Sequence, residues 1–367
     1  MSESSQADWR RASIKLNQNA LASNLERVRA FAPGCQVMAV IKANAYGHGM
    51  LTAAEQLDGA DLFAVAMPGE AYALRAAGCT KPVLVLHGFS NVDELEQFSR
   101  QNISTVVNQQ AQLELLLQHA LLTPVNVWIK VDTGMNRLGI PAEELGIYFA
   151  QLGNCTNVDS ISVMSHFSNA DLIGNAMNNN QLSRFIKVIN NMEIDRSMAN
   201  SAAIMRMPES HFDIVRPGIM LYGSSPFADI SATDLGLQAA MQFEAPLIDI
   251  KTVIAGDSIG YGATYTAKEN LTVGIVAAGY GDGYPRHARN GTPVWLNQYC
   301  CELLGRVSMD SLCINLSGLL ESGLQAEIGD RAVLWGSELS VDEVAHHCDS
   351  IAYELLCNAG AAFFSYS

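Results

Sequence analysis

The residues between Val37 and Gly49 read VMAVIKANAYGHG and place a lysine, Lys42, at the end of an apolar run. A lysine amine is a nucleophile only in its neutral form, and an apolar setting with other cations nearby favours that form. A loop containing a tyrosine, a histidine and two glycines follows it. Lys42 is therefore a candidate nucleophile.

Four later apolar runs also end on polar residues or glycine. The residues at these ends are Lys130 with Asp132, His166, Asn200 with Ser201, and Arg216 with Gly218. Taken singly, each is most simply explained as a snorkelling or ion-paired residue at a strand end. If the runs are strands of one parallel barrel, their ends meet on the rim where barrel enzymes build active sites. This shared placement favours a functional role.

The elements that must position these residues are eight short runs rich in Val and Ile, spaced roughly 20 to 30 residues apart with amphipathic segments between them. The runs cover residues 37–43, 62–67, 82–88, 103–107, 125–132, 160–167, 196–201 and 214–219. No GxGxxG motif follows the first run. The pattern predicts an α/β fold, a (β/α)8 TIM-like barrel, rather than an open doubly wound sheet.

The pattern changes near Met241. From there, β-like runs follow one another closely, with glycine turns and no long helices between them. We expect a smaller, mainly antiparallel β domain after the barrel. The predicted division is a barrel over residues 12–240 and a C-terminal β domain that contains residues 241–367 together with residues 1–11.

Composition excludes several function classes. The 22 Lys and Arg residues against 37 Asp and Glu residues give a net charge of −15, which opposes binding to nucleic acid. No apolar run approaches membrane-spanning length, and the N-terminus lacks the apolar core of a secretory signal, so a cytoplasmic protein without membrane contact is expected. The eight cysteines form no CxxC pair, so no metal site is expected.

Barrels often bind phosphate in the loops after strands seven and eight. Here those loops contain Ser201 and Ala202, and Gly218 and Ile219. Small residues of this kind let backbone N–H groups approach an anion closely. A phosphate there, together with Lys42 on the first strand, suggests pyridoxal 5′-phosphate held as a Schiff base.

Over essentially its whole length, the sequence resembles the bacterial alanine racemases, pyridoxal phosphate enzymes of fold type III. The matching segments are VMAVIKANAYGHG (37–49), KVDTGMNRLG (130–139), VRPGIMLYG (215–223), IGYGATY (259–265), AAGYGDGYPR (277–286) and GRVSMD (305–310). The resemblance implies an enzyme that interconverts L- and D-alanine and supplies D-alanine for peptidoglycan. It also implies a homodimer whose active site is shared between the subunits.

The resemblance further implies roles for individual residues. Lys42 and Tyr261 would be acid and base on opposite faces of the substrate, with Tyr261 contributed by the second subunit. Arg216 would contact the pyridine nitrogen and limit side reactions, because an arginine there opposes protonation of the ring. The full cofactor-binding set would be Lys42, Tyr46, His166, Asn200, Ser201, Arg216, Gly218, Ile219 and Tyr353.

The substrate would be bound by a second group of residues. Arg137 and the backbone amide of Met309 would bind the substrate carboxylate, while Tyr280 and Tyr353 would narrow the pocket. Lys130 matches a lysine that is commonly carbamylated in this family.

The sequence departs from the family at Ser197, where many members have a histidine that supports the pyridine-contacting arginine. The hydrogen-bond network around Arg216 is therefore expected to differ from that of the family.

Two other functions remain open: a broad-specificity amino-acid racemase, and a non-catalytic pyridoxal phosphate carrier. The carrier is disfavoured because that family is a lone barrel without the motif around Tyr261. A decarboxylase is disfavoured because Arg216 stands where a carboxylate would be expected.

Overall fold

The computed structural model describes residues 11–364 of the chain. Residues 1–10, which we assigned to the second domain, and residues 365–367 lie outside the described part. The chain enters through a short strand, β1 (Ser13–Leu16), and then forms a parallel sheet followed by an antiparallel one.

Eight strands of the parallel sheet lie where the apolar runs predicted them. They are β2 (Gln36–Val40), β3 (Leu62–Val65), β4 (Val83–Val85), β5 (Ser104–Val107), β6 (Val125–Asp132), β8 (Val158–Met164), β9 (Arg196–Ser197) and β10 (Ile214–Val215), while the short β7 (Ile140–Pro141) pairs with the end of β6.

Their order is β10-β2-β3-β4-β5-β6-β8-β9, every pair is parallel, and a parallel bridge between Asn200 and Arg216 joins the two end strands. The closed sheet confirms the predicted barrel. Its strands read as nearly continuous apolar runs because a barrel buries both faces of each strand.

Nine helices belong to this half of the described chain: α1 (Gln18–Phe31), α2 (Lys42–Gly47), α3 (Met50–Gln56), α4 (Pro68–Ala76), α5 (Val92–Gln101), α6 (Gln110–Gln118), α7 (Leu145–Gly153), α8 (Ala176–Ile189) and α9 (Ser201–Arg206). Asparagine side chains begin several of them. Asn17, Asn91 and Asn175 each accept a hydrogen bond from a backbone N–H of the first turn of α1, α5 and α8. These caps satisfy donors that the first turn of a helix leaves unpaired.

The antiparallel sheet contains β11 (Met241–Val253), β14 (Leu271–Val276), β15 (Pro293–Leu296), β16 (Tyr299–Leu304), β17 (Leu312–Asn315) and β18 (Arg331–Trp335). Because β18 pairs with both β15 and β11, this sheet also closes on itself. A separate hairpin of β12 (Ser258–Ile259) and β13 (Tyr265–Thr266) projects from it. The helices of this half are α10 (Ser317–Glu321), α11 (Val341–His347) and α12 (Ala352–Phe364).

Strand β1 precedes the barrel but pairs antiparallel with β11 of the second sheet. Glu244 of β11 is buried there between Lys15 of β1, at 2.7 Å, and Arg331 of β18, at 3.0 Å. The start of the chain is thus tied to the C-terminal half by a buried carboxylate with two cationic partners.

Short 3-10 turns complete the described part, at Ala142–Glu144, Pro208–Ser210, Ile219–Tyr222, Tyr261–Ala263 and Tyr280–Asp282. No helix within residues 11–364 is long and apolar enough to cross a membrane.

Candidate active site

A cavity of ≈ 450 Å³ lies at the carboxyl ends of the barrel strands. This is the volume range of small-molecule sites. Most of the site residues predicted from the sequence line it together: Lys42, Tyr46, Lys130, Arg137, His166, Asn200, Ser201, Arg216, Gly218, Ile219 and Tyr353. The strand-end argument therefore identified one continuous surface.

Lys42 does not lie on the first barrel strand, as its apolar run suggested, because β2 ends at Val40. It is the first residue of α2, and it immediately precedes a left-handed turn, residues 43–46, in which four successive residues have φ values of 53°, 52°, 55° and 52°. Left-handed backbone costs roughly 1–2 kcal/mol for each residue that carries a Cβ, so the surroundings must hold this turn in place. Two contacts that do so are the Ala43 N–H to Glu70 Oε1 and the Met50 N–H to Asn44 Oδ1, both at 2.7 Å.

Four cationic side chains surround the cavity: Lys42, Lys130, Arg137 and Arg216. Burial, followed by the charge of Arg137, lowers the pKa of Lys42. Burial, followed by the charge of Arg216, lowers the pKa of Lys130 to about 8. Within residues 11–364, no aspartate or glutamate lines this cavity. The site therefore favours anionic ligands and neutral lysine amines.

Arg216 is fixed by neutral acceptors. Its guanidinium donates to Ser197 Oγ at 2.7 Å, to the Ser165 carbonyl at 2.5 Å and to His166 Nδ1 at 3.2 Å. A guanidinium only donates, so His166 Nδ1 accepts and the ring proton lies on Nε2. Burial, reinforced by the charge of Arg216, holds the pKa of His166 well below its usual value. The imidazole is thus neutral beside a charged arginine.

Ser197, the departure noted in the sequence, contributes directly to this arrangement. Its hydroxyl donates to the Ile214 carbonyl at 2.5 Å, so its oxygen is left to accept from Arg216. Ser197 therefore supplies an acceptor to the Arg216 guanidinium, while the Ile214 carbonyl fixes the direction of the Ser197 hydroxyl proton.

A small-residue cradle closes one end of the cavity. Ser201 Oγ accepts from the N–H groups of Gly218, at 2.9 Å, and Met220, at 3.4 Å, which leaves its own proton available. A Cβ at Gly218 would lie 2.5 Å from the Tyr46 hydroxyl, so glycine at this position lets that hydroxyl lie close to the backbone. Burial raises the pKa of Tyr46, which therefore remains a hydrogen-bond donor.

Arg137 is presented by a loop that Asp132 organises. Asp132 Oδ1 accepts from the backbone N–H groups of Gly134, Met135 and Asn136 at 2.8, 3.0 and 3.2 Å. Asp132 is therefore engaged with its own loop and forms no ion pair with Lys130.

Three predicted residues lie away from this cavity. Tyr261, in the turn between β12 and β13, is 67% exposed, and Met309 is 61% exposed. Tyr280, at the start of a 3-10 turn, is 39% exposed. Within one chain, these three side chains therefore lie away from Lys42.

The cavity also contains residues that the sequence did not identify as functional. His87 follows β4 and lines the wall, and Cys357 lies one helical turn beyond Tyr353 on α12. His87 could have been predicted, because it lies at the end of the apolar run over residues 82–88, as the other strand-end residues do. Cys357 could have been found only from its helical spacing to Tyr353.

The residues present fit pyridoxal phosphate. The cradle at Gly218 brings the hydroxyls of Ser201 and Tyr46 to the cavity wall, where both can donate to a phosphate group. Lys42 supplies an amine whose neutral form is favoured, and Arg216 supplies a fixed donor for a ring nitrogen.

Comparison with known proteins gives a consistent result. The family model described as alanine racemase, N-terminal domain, matches residues 16–226, and that described as alanine racemase, C-terminal domain, matches residues 240–364. An alanine racemase of Nitrosococcus oceani is 46% identical over 343 residues, which cover 93% of this chain and 95% of the relative. An alanine racemase of Vibrio parahaemolyticus is 44% identical over 342 residues, covering 93% and 94%.

Among solved structures, the biosynthetic alanine racemase from Pseudomonas aeruginosa is similar with a TM-score of 0.92 at 41% identity, covering 95% of this chain and 97% of that one. Both halves of the chain are matched, and the similarity extends across the barrel and the antiparallel sheet. The chain belongs to the alanine racemase family.

Proposed function

We propose that the protein is a pyridoxal phosphate-dependent alanine racemase that interconverts L- and D-alanine and supplies D-alanine for peptidoglycan. One observation carries the proposal: Lys42 shares a cavity with three further cations and with the glycine cradle at Gly218. Family membership supports the same activity, since relatives named alanine racemase cover nearly the whole chain.

Tyr46, Ser201 and the backbone around Gly218 and Ile219 would hold the phosphate, with Tyr353 and Asn200 beside them. Pyridoxal phosphate supplies an aldehyde that an amine can join and an electron-accepting ring that weakens the Cα–H bond of the attached amino acid. Arg216, held by neutral acceptors, would donate to the ring nitrogen and disfavour its protonation. His166 lies beside it as a neutral ring.

Racemisation requires that a proton leaves one face of Cα and that another arrives at the opposite face. Lys42 Nζ is the acid and base on one face, because its burial favours the neutral amine. Tyr261 is the acid and base on the other face. Its exposure on the single chain fits a side chain that completes the cavity of a partner subunit.

Arg137 binds the substrate carboxylate together with the backbone amide of Met309. A carbamate on Lys130 would provide an anion beside Arg137, and the lowered pKa of Lys130, about 8, favours its formation. Tyr280 and Tyr353 restrict the pocket to a small side chain. A small pocket favours alanine over the larger substrates of broad-specificity racemases.

The working enzyme is a homodimer that acts in the cytoplasm. Support for the dimer comes from Tyr261, Met309 and Tyr280, which have assigned roles but lie outside the cavity of their own chain. We retain the division into a barrel over residues 12–240 and a β domain over residues 241–367, noting that β1 pairs with the second sheet.

A coupled assay of L-to-D conversion tests the proposal with alanine, serine, lysine and arginine as substrates. Alanine is expected to turn over fastest, and a comparable rate with lysine or arginine would favour the broad-specificity reading. Absorbance spectra before and after borohydride report whether the cofactor is linked to Lys42, with Lys42→Ala as control.

The carrier alternative is tested by Tyr261→Phe. This variant is expected to keep bound cofactor while losing nearly all racemisation, since only the hydroxyl is removed. Full activity in Tyr261→Phe would refute the two-base assignment, and bound cofactor without turnover in the wild type would favour the carrier.

A further inference from the structure

His48 is a fully buried histidine in the opening motif to which no function has been assigned above. Its ring lies 4.7 Å from that of Tyr222, which also stacks on Tyr46 at 4.6 Å. Only 1% of its surface is exposed, and burial lowers its pKa to about 4, so the ring is neutral at physiological pH.

The polar contacts of this ring go to the left-handed turn. His48 Nδ1 lies 3.0 Å from the carbonyl oxygen of Ala45 and 3.0 Å from that of Tyr46. Carbonyls only accept, so Nδ1 carries the proton and donates to both. Nε2, in consequence, is a buried acceptor without a hydrogen-bond partner among the described residues.

This arrangement is unfavourable as simple core packing. A buried acceptor without a partner lowers stability, and an apolar ring of similar size would avoid that loss. The Nδ1–H must therefore contribute something that an apolar ring cannot. What it contributes is a donor for the Tyr46 carbonyl and a second donor for the Ala45 carbonyl, which also accepts the backbone N–H of His48. Both carbonyls belong to a strained stretch of backbone that contains no glycine until Gly47.

The strained stretch is the part of the chain that presents the site. Lys42 immediately precedes the left-handed turn, Tyr46 ends it, and both side chains line the cavity. If residues 43–46 adopted right-handed backbone instead, the Lys42 amine and the Tyr46 hydroxyl would move relative to each other. We propose that His48 is a positioning residue, whose Nδ1–H holds the left-handed turn in the conformation that places Lys42 and Tyr46 for pyridoxal phosphate.

Two substitutions separate this role from packing. His48→Phe keeps a ring against Tyr222 but removes the donor. His48→Asn loses the ring but keeps an N–H donor, because its amide nitrogen is bonded to Cγ as Nδ1 is in histidine. The proposal, which rests on the proposed function, predicts cofactor binding at least about tenfold weaker in His48→Phe and less than about threefold weaker in His48→Asn. A packing role predicts the reverse order.

The measurement is titration of each apoprotein with pyridoxal phosphate and with pyridoxamine 5′-phosphate, followed by fluorescence. Pyridoxamine phosphate lacks the aldehyde, so it reports the placement of Tyr46 apart from any bond to Lys42. Both ligands are expected to bind more weakly to His48→Phe than to His48→Asn. Equal affinities for the two variants, or tighter binding by His48→Phe, would overturn the proposal.

A suppressor supplies an independent readout. Ala43 lies at the exposed start of the turn, and glycine adopts left-handed backbone without strain, so Ala43→Gly in the His48→Phe background is expected to recover cofactor affinity. Should His48→Phe not fold alone, the double variant is expected to fold. Absence of rescue counts against the proposal, whereas failure of the wild type to bind pyridoxal phosphate refutes the proposed function itself.

Discussion

Lys130 and Arg137 define the chemistry of one side of the cavity at the scale of single residues. Among the described residues, Lys130 forms no ion pair with a carboxylate, and Oδ1 of the nearby Asp132 accepts from three backbone N–H groups of its own loop. The nearby charges of Arg216 and Arg137 oppose a further positive charge, after the larger effect of burial. A neutral amine surrounded by cations is the setting in which reaction with carbon dioxide is favoured, because the product is an anion.

The prediction at this scale concerns that reaction. Since the folded pKa of Lys130, about 8, lies below its value of 10.5 in an unfolded chain, the neutral fraction rises steeply between pH 7 and pH 9. Native mass spectrometry in bicarbonate is expected to show a gain of one carbon dioxide that increases over this range. Lys130→Gln should abolish the gain, and its persistence in that variant would place the modification elsewhere.

At the residue level, the sequence predicted which side chains lie near one another where strand ends determine their position. Lys130, His166 and Arg216 were identified because parallel strands bring their carboxyl ends to one rim. The hydrogen-bond partners could not be predicted: the hydrogen bond that Arg216 donates to Ser197 joins residues 19 positions apart, through side-chain directions that spacing does not determine. Tyr261 was identified only by motif, because no single-chain feature connects it to the cavity.

Helix α12 is the element that joins the two halves of the molecule at the site. Gly360 of α12 packs so closely on Gly47 that a Cβ at either position would overlap the backbone of the other element. The helix also packs closely on the segment that contains Tyr280, since a Cβ at Gly283 would lie 2.6 Å from Cα of Ala359 in α12. The helix that carries Tyr353 is therefore held by backbone contacts with the lysine segment and with the Tyr280 segment.

Gly360→Ala tests this contact. Overpacking at a backbone-to-backbone approach is expected to lower the free energy of unfolding by about 1–3 kcal/mol and to weaken cofactor binding, because the displaced backbone adjoins Tyr46. Gly69→Ala in α4 is the matched control, since nothing lies within 4 Å of its added Cβ. Denaturant unfolding of both apoproteins provides the comparison, and equal stability of the two variants would contradict the close contact.

The elements themselves were predictable to different degrees. The eight barrel strands read as continuous apolar runs because both faces are buried, as in the fully buried β4. The left-handed turn could not be predicted, since Ala, Asn, Ala and Tyr carry no glycine signal for positive φ. The pairing of β1 with β11 was missed because it joins segments more than 200 residues apart, which local pattern does not specify.

At the scale of the whole molecule, the single chain holds an incomplete set of the proposed groups. Its cavity contains Lys42, Arg137 and Arg216, while Tyr261 and Met309 lie exposed elsewhere. The proposed two-fold symmetric dimer would resolve this separation, because symmetry would give each cavity the same groups from the opposite subunit. Activity would then depend on association, and dilution below the dimer dissociation constant is expected to abolish it.

Mixing two inactive variants tests the shared site directly. If each cavity takes its lysine and its tyrosine from different subunits, a heterodimer of Lys42→Ala and Tyr261→Phe has one cavity with both defects and one cavity with neither. Random re-association of an equal mixture makes half of the dimers mixed, each with one intact site, so about one quarter of wild-type activity should return. The variants are mixed after mild dissociation and assayed for L-to-D conversion, with each variant carried alone through the same treatment. If both residues acted within one chain, every cavity would carry a defect and the mixture would stay as inactive as its parents.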